Sequence, residues 1–250
     1  MTLRLGVLTP SSNTVVEPET VRLMPADGSV TAHFARVRVV RISDIDASLR
    51  QFELEPTLEA AERLADAAVD LIVWNGAAAA WLGFERDQRL VEAIEARTGI
   101  PATSALLAIN ARLKRLGARR LGLVTPYVQS IEARILANYR AAGFSIPAAA
   151  RCDITENTAI AAIAPQEIAR MARQVAQAGV DAVVILCTNL AGARIAGPLS
   201  AELGAPVLDS VAVAIEHCLE RLGSVAAADV PSPLVGRVRV GAPPAEGRAL

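Results

Sequence analysis

Aromatic residues are scarce in this chain: Trp, Tyr and Phe make up 3% of its 250 residues. The core must therefore be built from Ala, Val, Leu and Ile, in keeping with a 52% hydrophobic composition. Lysine is reduced to Lys114, inside an apparent helix, which argues against a Schiff-base lysine and with it pyridoxal phosphate. The histidines, His33 in a strand and His217 in a helix, are badly placed to gather the cysteines into a metal site or to complete a Ser-His-Asp triad. There is no G-x-G-x-x-G run and no Walker loop, so nothing supports nucleotide binding. Neither a metal nor an organic cofactor is expected. Cys152, Cys187 and Cys218 are odd in number and have no paired spacing, which fits free thiols in a reducing cytoplasm. A net charge of -1 gives no basis for binding nucleic acid or a membrane surface. No apolar run is long enough to cross a bilayer, and MTLRLGVLTP reads as strand and turn rather than signal peptide.

What the chain does have is alternation of short apolar runs with helical stretches, the pattern of an α/β protein. Its organising stretch is Asp181–Asn189, DAVVILCTN. Ala182 to Leu186 is unbroken apolar sequence rich in β-branched residues, as expected of a strand buried on both faces of a parallel sheet. It ends in Cys187, Thr188 and Asn189. Ligands of open α/β sheets sit just outside the carboxyl ends of the strands, so a thiol stands where such a fold keeps its chemistry.

The pattern repeats. Arg4–Pro10, RLGVLTP, returns as RLGLVTP at Arg120–Pro126, 116 positions later. Ala67–Asp70 returns as Ala178–Asp181, 111 positions later. Gly99-Ile-Pro101 returns as Gly204-Ala-Pro206, and Arg115-Leu-Gly117 as Arg221-Leu-Gly223. Four pairs in the same order predict two copies of one α/β unit, residues 1–117 and 118–223. Each copy should be a mainly parallel sheet flanked by helices, with a cleft between two pseudo-symmetric lobes. Residues 224–250, rich in Ala, Pro and Gly, read as a tail or an arm on a neighbouring subunit. Helices are expected at about 42–50 and 55–68, and the strand after the first helix over Val30–Val40.

Cys187 follows Asp181 by six residues, and Gly76 follows Asp70 by six. The two positions should face each other, a thiol on one side and no side chain on the other. A helix opening near Ala191 would leave the Thr188 and Asn189 amides free to bind an anion and to lower the thiol pKa. The first-strand loop adds Ser11, Ser12, Asn13 and Thr14, and its counterpart adds Thr125, Tyr127 and Gln129. These neutral hydrogen-bonding groups suit a carboxylate or an enolate oxygen. The plainer readings are a core cysteine at 187, a helix cap at Asn13, a turn residue at Asn157 and a tight turn at Gly76.

TPSSNTVVEPE at 9–19, TPY at 125–127, Asn157 and CTNL at 187–190 resemble the maleate cis-trans isomerase and arylmalonate decarboxylase branch of the Asp/Glu racemase superfamily. The resemblance covers about residues 3–223. It implies two pseudo-symmetric α/β lobes, a homo-oligomer, and cofactor-free chemistry beside the carboxylate of a small carboxylic or dicarboxylic acid. Racemases of that superfamily carry a cysteine in each lobe, and maleate isomerases add a first-lobe cysteine to the double bond. Arylmalonate decarboxylases have glycine there and use the second-lobe cysteine as a proton donor. Gly76 and Cys187 match the decarboxylase arrangement. Ala77 and Ala78 depart from it, because decarboxylases place hydroxyl residues after the glycine, and CTNL is more like the isomerase motif.

The leading expectation is a cytoplasmic enzyme that uses Cys187 for proton transfer at the carbon α to a carboxylate, decarboxylating a substituted malonate. Ser12, Asn13, Tyr127, Asn157, Thr188 and Asn189 would hold the substrate, and the small wall at Gly76, Ala77 and beyond would leave room for a leaving carboxylate or a bulky substituent. The alternatives are maleate isomerisation or racemisation, for which Gly76→Cys should restore the missing thiol, and a binding protein for small acids that has no turnover.

Overall fold

A computed structural model describes residues 2–42 and 50–223. The tail at 224–250, and the helix expected at about 42–50 in nearly all its length, lie outside the described residues.

The described chain runs β1 (Leu3–Pro10), α1 (Val16–Leu23), β2 (Val30–Val37), a 3-10 turn (Arg50–Phe52), α2 (Leu54–Asp66), β3 (Leu71–Trp74), α3 (Ala79–Leu82), α4 (Phe84–Thr98), β4 (Ala102–Ser104) and α5 (Ala105–Arg115). It continues with β5 (Arg120–Thr125), α6 (Gln129–Ala141), β6 (Ser145–Arg151), α7 (Asn157–Ile160), α8 (Pro165–Ala176), β7 (Ala182–Ile185), α9 (Ala193–Leu203), β8 (Val207–Asp209) and α10 (Ser210–Arg221). The strands form two four-stranded parallel sheets, ordered β2-β1-β3-β4 and β6-β5-β7-β8. The fold class read from the sequence is the one observed.

Corresponding strands start in the same way. The Asp70 carboxylate accepts the Arg4 N–H at 2.7 Å, and the Asp181 carboxylate accepts the Arg119 and Arg120 N–H groups at 2.7 and 2.8 Å. These backbone donors hold the Asp181 carboxyl below the usual carboxylate range. Gly6 and Gly122 sit mid-strand where a Cβ would come within 3.0 Å of Val69 and 2.8 Å of Val175, so the absent side chain lets the flanking segment pack directly on the sheet.

Two boundaries differ from expectation for local reasons. β2 stops at Val37 because the next residues bond outside the sheet, Val39 N–H to Ser11 Oγ and Val40 N–H to Gln51 Oε1. α9 begins at Ala193 rather than near Ala191 because a turn intervenes, the Leu190 N–H closing on the Cys187 carbonyl at 3.1 Å.

The closing helices are exchanged between the sheets. α5 places Leu106, Ile109 and Leu113 in the buried cluster that contains Leu121, Leu123, Val183 and Val207. α10 places Val211, Ile215 and Cys218 with Leu5, Val7, Leu71 and Val73 of the first sheet. Each sheet thus has part of its apolar face covered by a helix from the other half. Burying such faces supplies the main drive for holding the halves together, at about 25 cal/mol per Å² of apolar surface removed from water.

Candidate active site

Cys187 lies just past the end of β7 and is 3% exposed. The Asn189 N–H approaches its Sγ at 3.4 Å, and the Tyr127 hydroxyl donates to the same sulfur. Burial pushes the thiol up to about 11, against the pull of Tyr127 and the Asn189 and Leu190 amides, while the nearby Asp209 carboxylate works with burial. The expected lowering of this pKa by free amides is therefore reversed: two N–H groups in a turn do not offset the loss of water around the sulfur. Cys187 is a neutral thiol at ordinary pH. Tyr127 is buried beside it and held well above the usual phenol range by desolvation and by the sulfur.

Loops from both halves brace this turn. Asn13 Oδ1 accepts the Val15 and Val16 N–H groups, both at 2.9 Å, which closes the turn leading into α1 rather than capping the helix, whose N-cap is Val15. Its Nδ2 donates to Thr188 Oγ1 at 3.2 Å. The Thr14 N–H donates to Asn189 Oδ1 at 3.1 Å, and Asn189 Nδ2 donates to the Asn157 carbonyl. Asn157 Nδ2 donates to Ser12 Oγ at 2.9 Å, and Ser12 Oγ donates in turn to the Val39 carbonyl. The loops after β2 and β6 also meet directly, through the Ile42 N–H on the Thr155 carbonyl and the Asn157 N–H on the Val40 carbonyl.

Cys187, Thr188, Asn13, Tyr127, Asn157, Gly76 and Ala77 line one narrow cleft of about 20 Å³. Seven of the nine residues singled out from the sequence thus meet on one surface. Ser12 and Asn189 belong to the bracing network behind it. Gln129 is exposed at the start of α6, and Thr125 Oγ1 is buried without a partner among the described residues. Cys218 is buried in α10, its thiol pushed up to about 12, and Cys152 lies against Met171. Cys187 is the one of the three free thiols that borders the cleft.

Pro10 and Ala78, both within stretches the sequence marked, also line the cleft, whereas sequence motifs did not indicate Val39, Ile42, Phe52, Trp74 and Trp81. Trp81 is 3% exposed, its ring held edge-on by Phe52 with centroids 5.4 Å apart, and its Nε1 has no acceptor among the described residues. The amide N–H groups of Ala77, Ala78 and Thr188 likewise enter none of the hydrogen bonds among the described residues. The first-lobe wall therefore carries donors in spite of its alanine side chains. The space above Gly76 is not free, because the Trp74 indole fills it: a Cβ at 76 would stand 2.5 Å from ring carbons of Trp74. The expected room for a bulky substituent at this wall is absent.

Among the described residues, no group of three or more His, Cys, Asp and Glu side chains could hold a metal ion. No helix among them is long and apolar enough to cross a membrane.

Two matched parallel sheets with one buried thiol at the cleft between them define the class of this α/β protein. The chain belongs to the arylmalonate decarboxylase family, whose model matches residues 5–235. A maleate isomerase of Nocardia farcinica is 26% identical over 228 residues, covering 88% of this chain and 90% of that protein. Among solved structures, the maleate cis-trans isomerase of Nocardia farcinica, as a Cys→Ser mutant with a covalently bound succinylcysteine intermediate, superposes with a TM-score of 0.80 at 24% identity, covering 89% and 94% of the two chains. Arylmalonate decarboxylase superposes with a TM-score of 0.72 at 20% identity, covering 94% and 98%. Both kinds of relative are enzymes, and so is this member of the family.

Proposed function

We propose that the enzyme decarboxylates a substituted malonate and that Cys187 protonates the resulting enediolate. The carrying observation is the state of the thiol: buried, neutral, and across the cleft from a position that holds a glycine under an indole ring. A neutral thiol is a proton donor and a poor nucleophile.

In this reading one carboxylate is held by Asn13, Thr188 and the free amides of the cleft. The other faces the apolar wall of Ile42, Phe52 and Ala78, where loss of hydration favours departure as carbon dioxide. The C–C bonding pair passes into the retained carboxyl group as an enediolate. The Cys187 S–H bond then breaks, its proton goes to the α-carbon, and the thiolate left behind accepts hydrogen bonds from Tyr127 and the Asn189 amide. Water restores the thiol and leaves hydroxide, so atoms and charge balance without another reactant. Ser12, Asn157 and Asn189 fix the position of the thiol-bearing turn.

Isomerisation of maleate is the second reading, favoured by the curated relatives. It would require Cys187 to add to the double bond as a thiolate, against its raised pKa. Incubation with methylmalonate, phenylmalonate and maleate in heavy water, followed by NMR, separates the two. Cys187-dependent carbon dioxide release with one deuterium at the α-carbon supports decarboxylation. Fumarate formation in place of it overturns that reading. Ligand-induced thermal stabilisation with no turnover of any acid would leave a binding protein. Self-association, which the family resemblance implies, is read by light scattering of the purified chain.

A further inference from the structure

Trp74 is the last residue of β3 and is 4% exposed. Its ring is the nearest neighbour of the missing side chain at 76, 2.5 Å from the Cβ position at Cε2 and Cζ2 and 2.8 Å at Nε1. Real Cβ contacts do not come so close, and a ring buried at the end of a central strand cannot swing aside cheaply. Trp74 also borders a second, larger chamber of about 260 Å³, whose walls include Leu54, Leu82 and Leu90 beside Arg86, Asp87 and Arg89. Phe52 and Ala78 are likewise shared by cleft and chamber. The indole is thus a partition with the thiol cleft on one side and, on the other, an open space lined by apolar and charged side chains together.

Resting on the decarboxylase reading of the cleft, we propose that Trp74 determines substrate size: its ring takes the first-lobe space opposite Cys187, closes the cleft against the adjoining chamber, and restricts the enzyme to acids with a small aliphatic α-substituent. Shortening this one side chain joins the two spaces. An aryl substituent then has somewhere to go, and a side chain at 76 has room to enter the cleft.

The experiment compares wild type, Trp74→Ala, Gly76→Cys and the Trp74→Ala/Gly76→Cys double variant. Turnover of methylmalonate and phenylmalonate is measured for each, together with thermal stabilisation by each acid and maleimide labelling at position 76. Wild type should prefer methylmalonate, and Trp74→Ala should shift the kcat/KM ratio toward phenylmalonate by at least about tenfold, the discrimination a pocket wall commonly provides. The thiol introduced by Gly76→Cys should label slowly beneath Trp74 and much faster in the double variant. A folded Trp74→Ala protein with an unchanged preference, or equal labelling of the introduced thiol in both backgrounds, overturns the proposal. If no malonate is turned over by any variant, the decarboxylase reading fails by itself, and stabilisation by the two acids together with labelling at position 76 still decides the size limit. Should the alanine variant not fold, Trp74→Phe removes the atoms nearest Gly76 while keeping a ring, and the same shifts are expected in smaller measure.

Discussion

The two halves share a strand order and differ at the turn that follows the third strand of each sheet. In the second half that turn is Cys187-Thr188-Asn189, and all three residues are engaged: the sulfur with Tyr127, Thr188 with Asn13, Asn189 with Thr14 and Asn157. In the first half it is Gly76-Ala77-Ala78, with bare amides beneath an indole. The difference shows how one framework can be asymmetric in its chemistry. In the proposed reaction one half supplies a thiol proton in a fixed place, and the other supplies shape. The exchange of α5 and α10 between the sheets holds the two turns in register.

The sharpest break in that asymmetry is loss of the thiol. Cys187→Ala should lower turnover by about 10²–10⁴-fold, the usual contribution of a positioned proton donor, with substrate still bound. Calorimetric binding beside turnover checks both halves of the statement. The same thiol gives a stability signal. Below pH 9 it is protonated in folded and unfolded chains alike; between about 9 and 11 only the unfolded chain loses the proton. Stability therefore falls as pH rises through that window, by roughly 3 kcal/mol for a shift of this size. Cys187→Ser should remove that part of the alkaline loss while leaving the part due to Cys218, whose pKa of about 12 has the same sign. Urea midpoints for both proteins below pH 9 and near pH 11 provide the measurement.

Much of this was legible in the chain. Short β-branched runs, the RLG-x-x-TP pairs and the spacing from Asp181 to Cys187 reflect local geometry and parallel pairing, which a linear pattern records. The repeat also put Gly76 and Cys187 at equivalent positions, and both border the cleft. What escaped depends on three-dimensional neighbours. The thiol pKa is set chiefly by burial, with the Asp209 charge adding to it and Tyr127 and the turn amides opposing it, and a count of nearby amides pointed the wrong way. The Trp74 ring could not be placed from sequence, since it closes a space opened by a glycine two residues on. Asn13 and Asn157 each had a capping or turn reading beside a substrate-binding one, and Asn189 a substrate-binding one alone. In the structure they brace the site, and Asn13 and Asn157 border the cleft as well.

Trp81 extends the contrast to a first-half side chain whose donor is left, among the described residues, without a partner at the cleft. Its buried Nε1 has no acceptor among the described residues, so Trp81→Phe should not lower thermal stability by loss of a hydrogen bond. A substrate carboxylate accepting from it would lose about 2 kcal/mol, close to 30-fold in kcat/KM. An unchanged kcat/KM in a stable variant would remove Trp81 from the site. Gly76→Ala tests the shape of the same wall: one added methyl against the Trp74 ring should cost about 1–2 kcal/mol by overpacking, measured by urea denaturation.

The smallest expected effect lies far from the cleft, where the halves differ by one methyl group. Ala68 and Gly179 occupy corresponding turns before β3 and β7, with φ of 50° and 66°. The Arg4 and Arg120 side chains bond back to these turns, at the Ala68 and Gly179 carbonyls respectively. Left-handed backbone strains an alanine by about 1–2 kcal/mol, because its Cβ crowds the following carbonyl. Glycine escapes that strain but loses more freedom on folding, about 0.5–1 kcal/mol. Ala68→Gly should therefore stabilise the protein by roughly 0.5 kcal/mol, and Gly179→Ala should destabilise it by a similar amount. Opposite shifts in the urea midpoint would establish that the two turns obey the same constraint. A loss of stability in both variants would mean that the Ala68 methyl makes packing contacts worth more than the strain it causes.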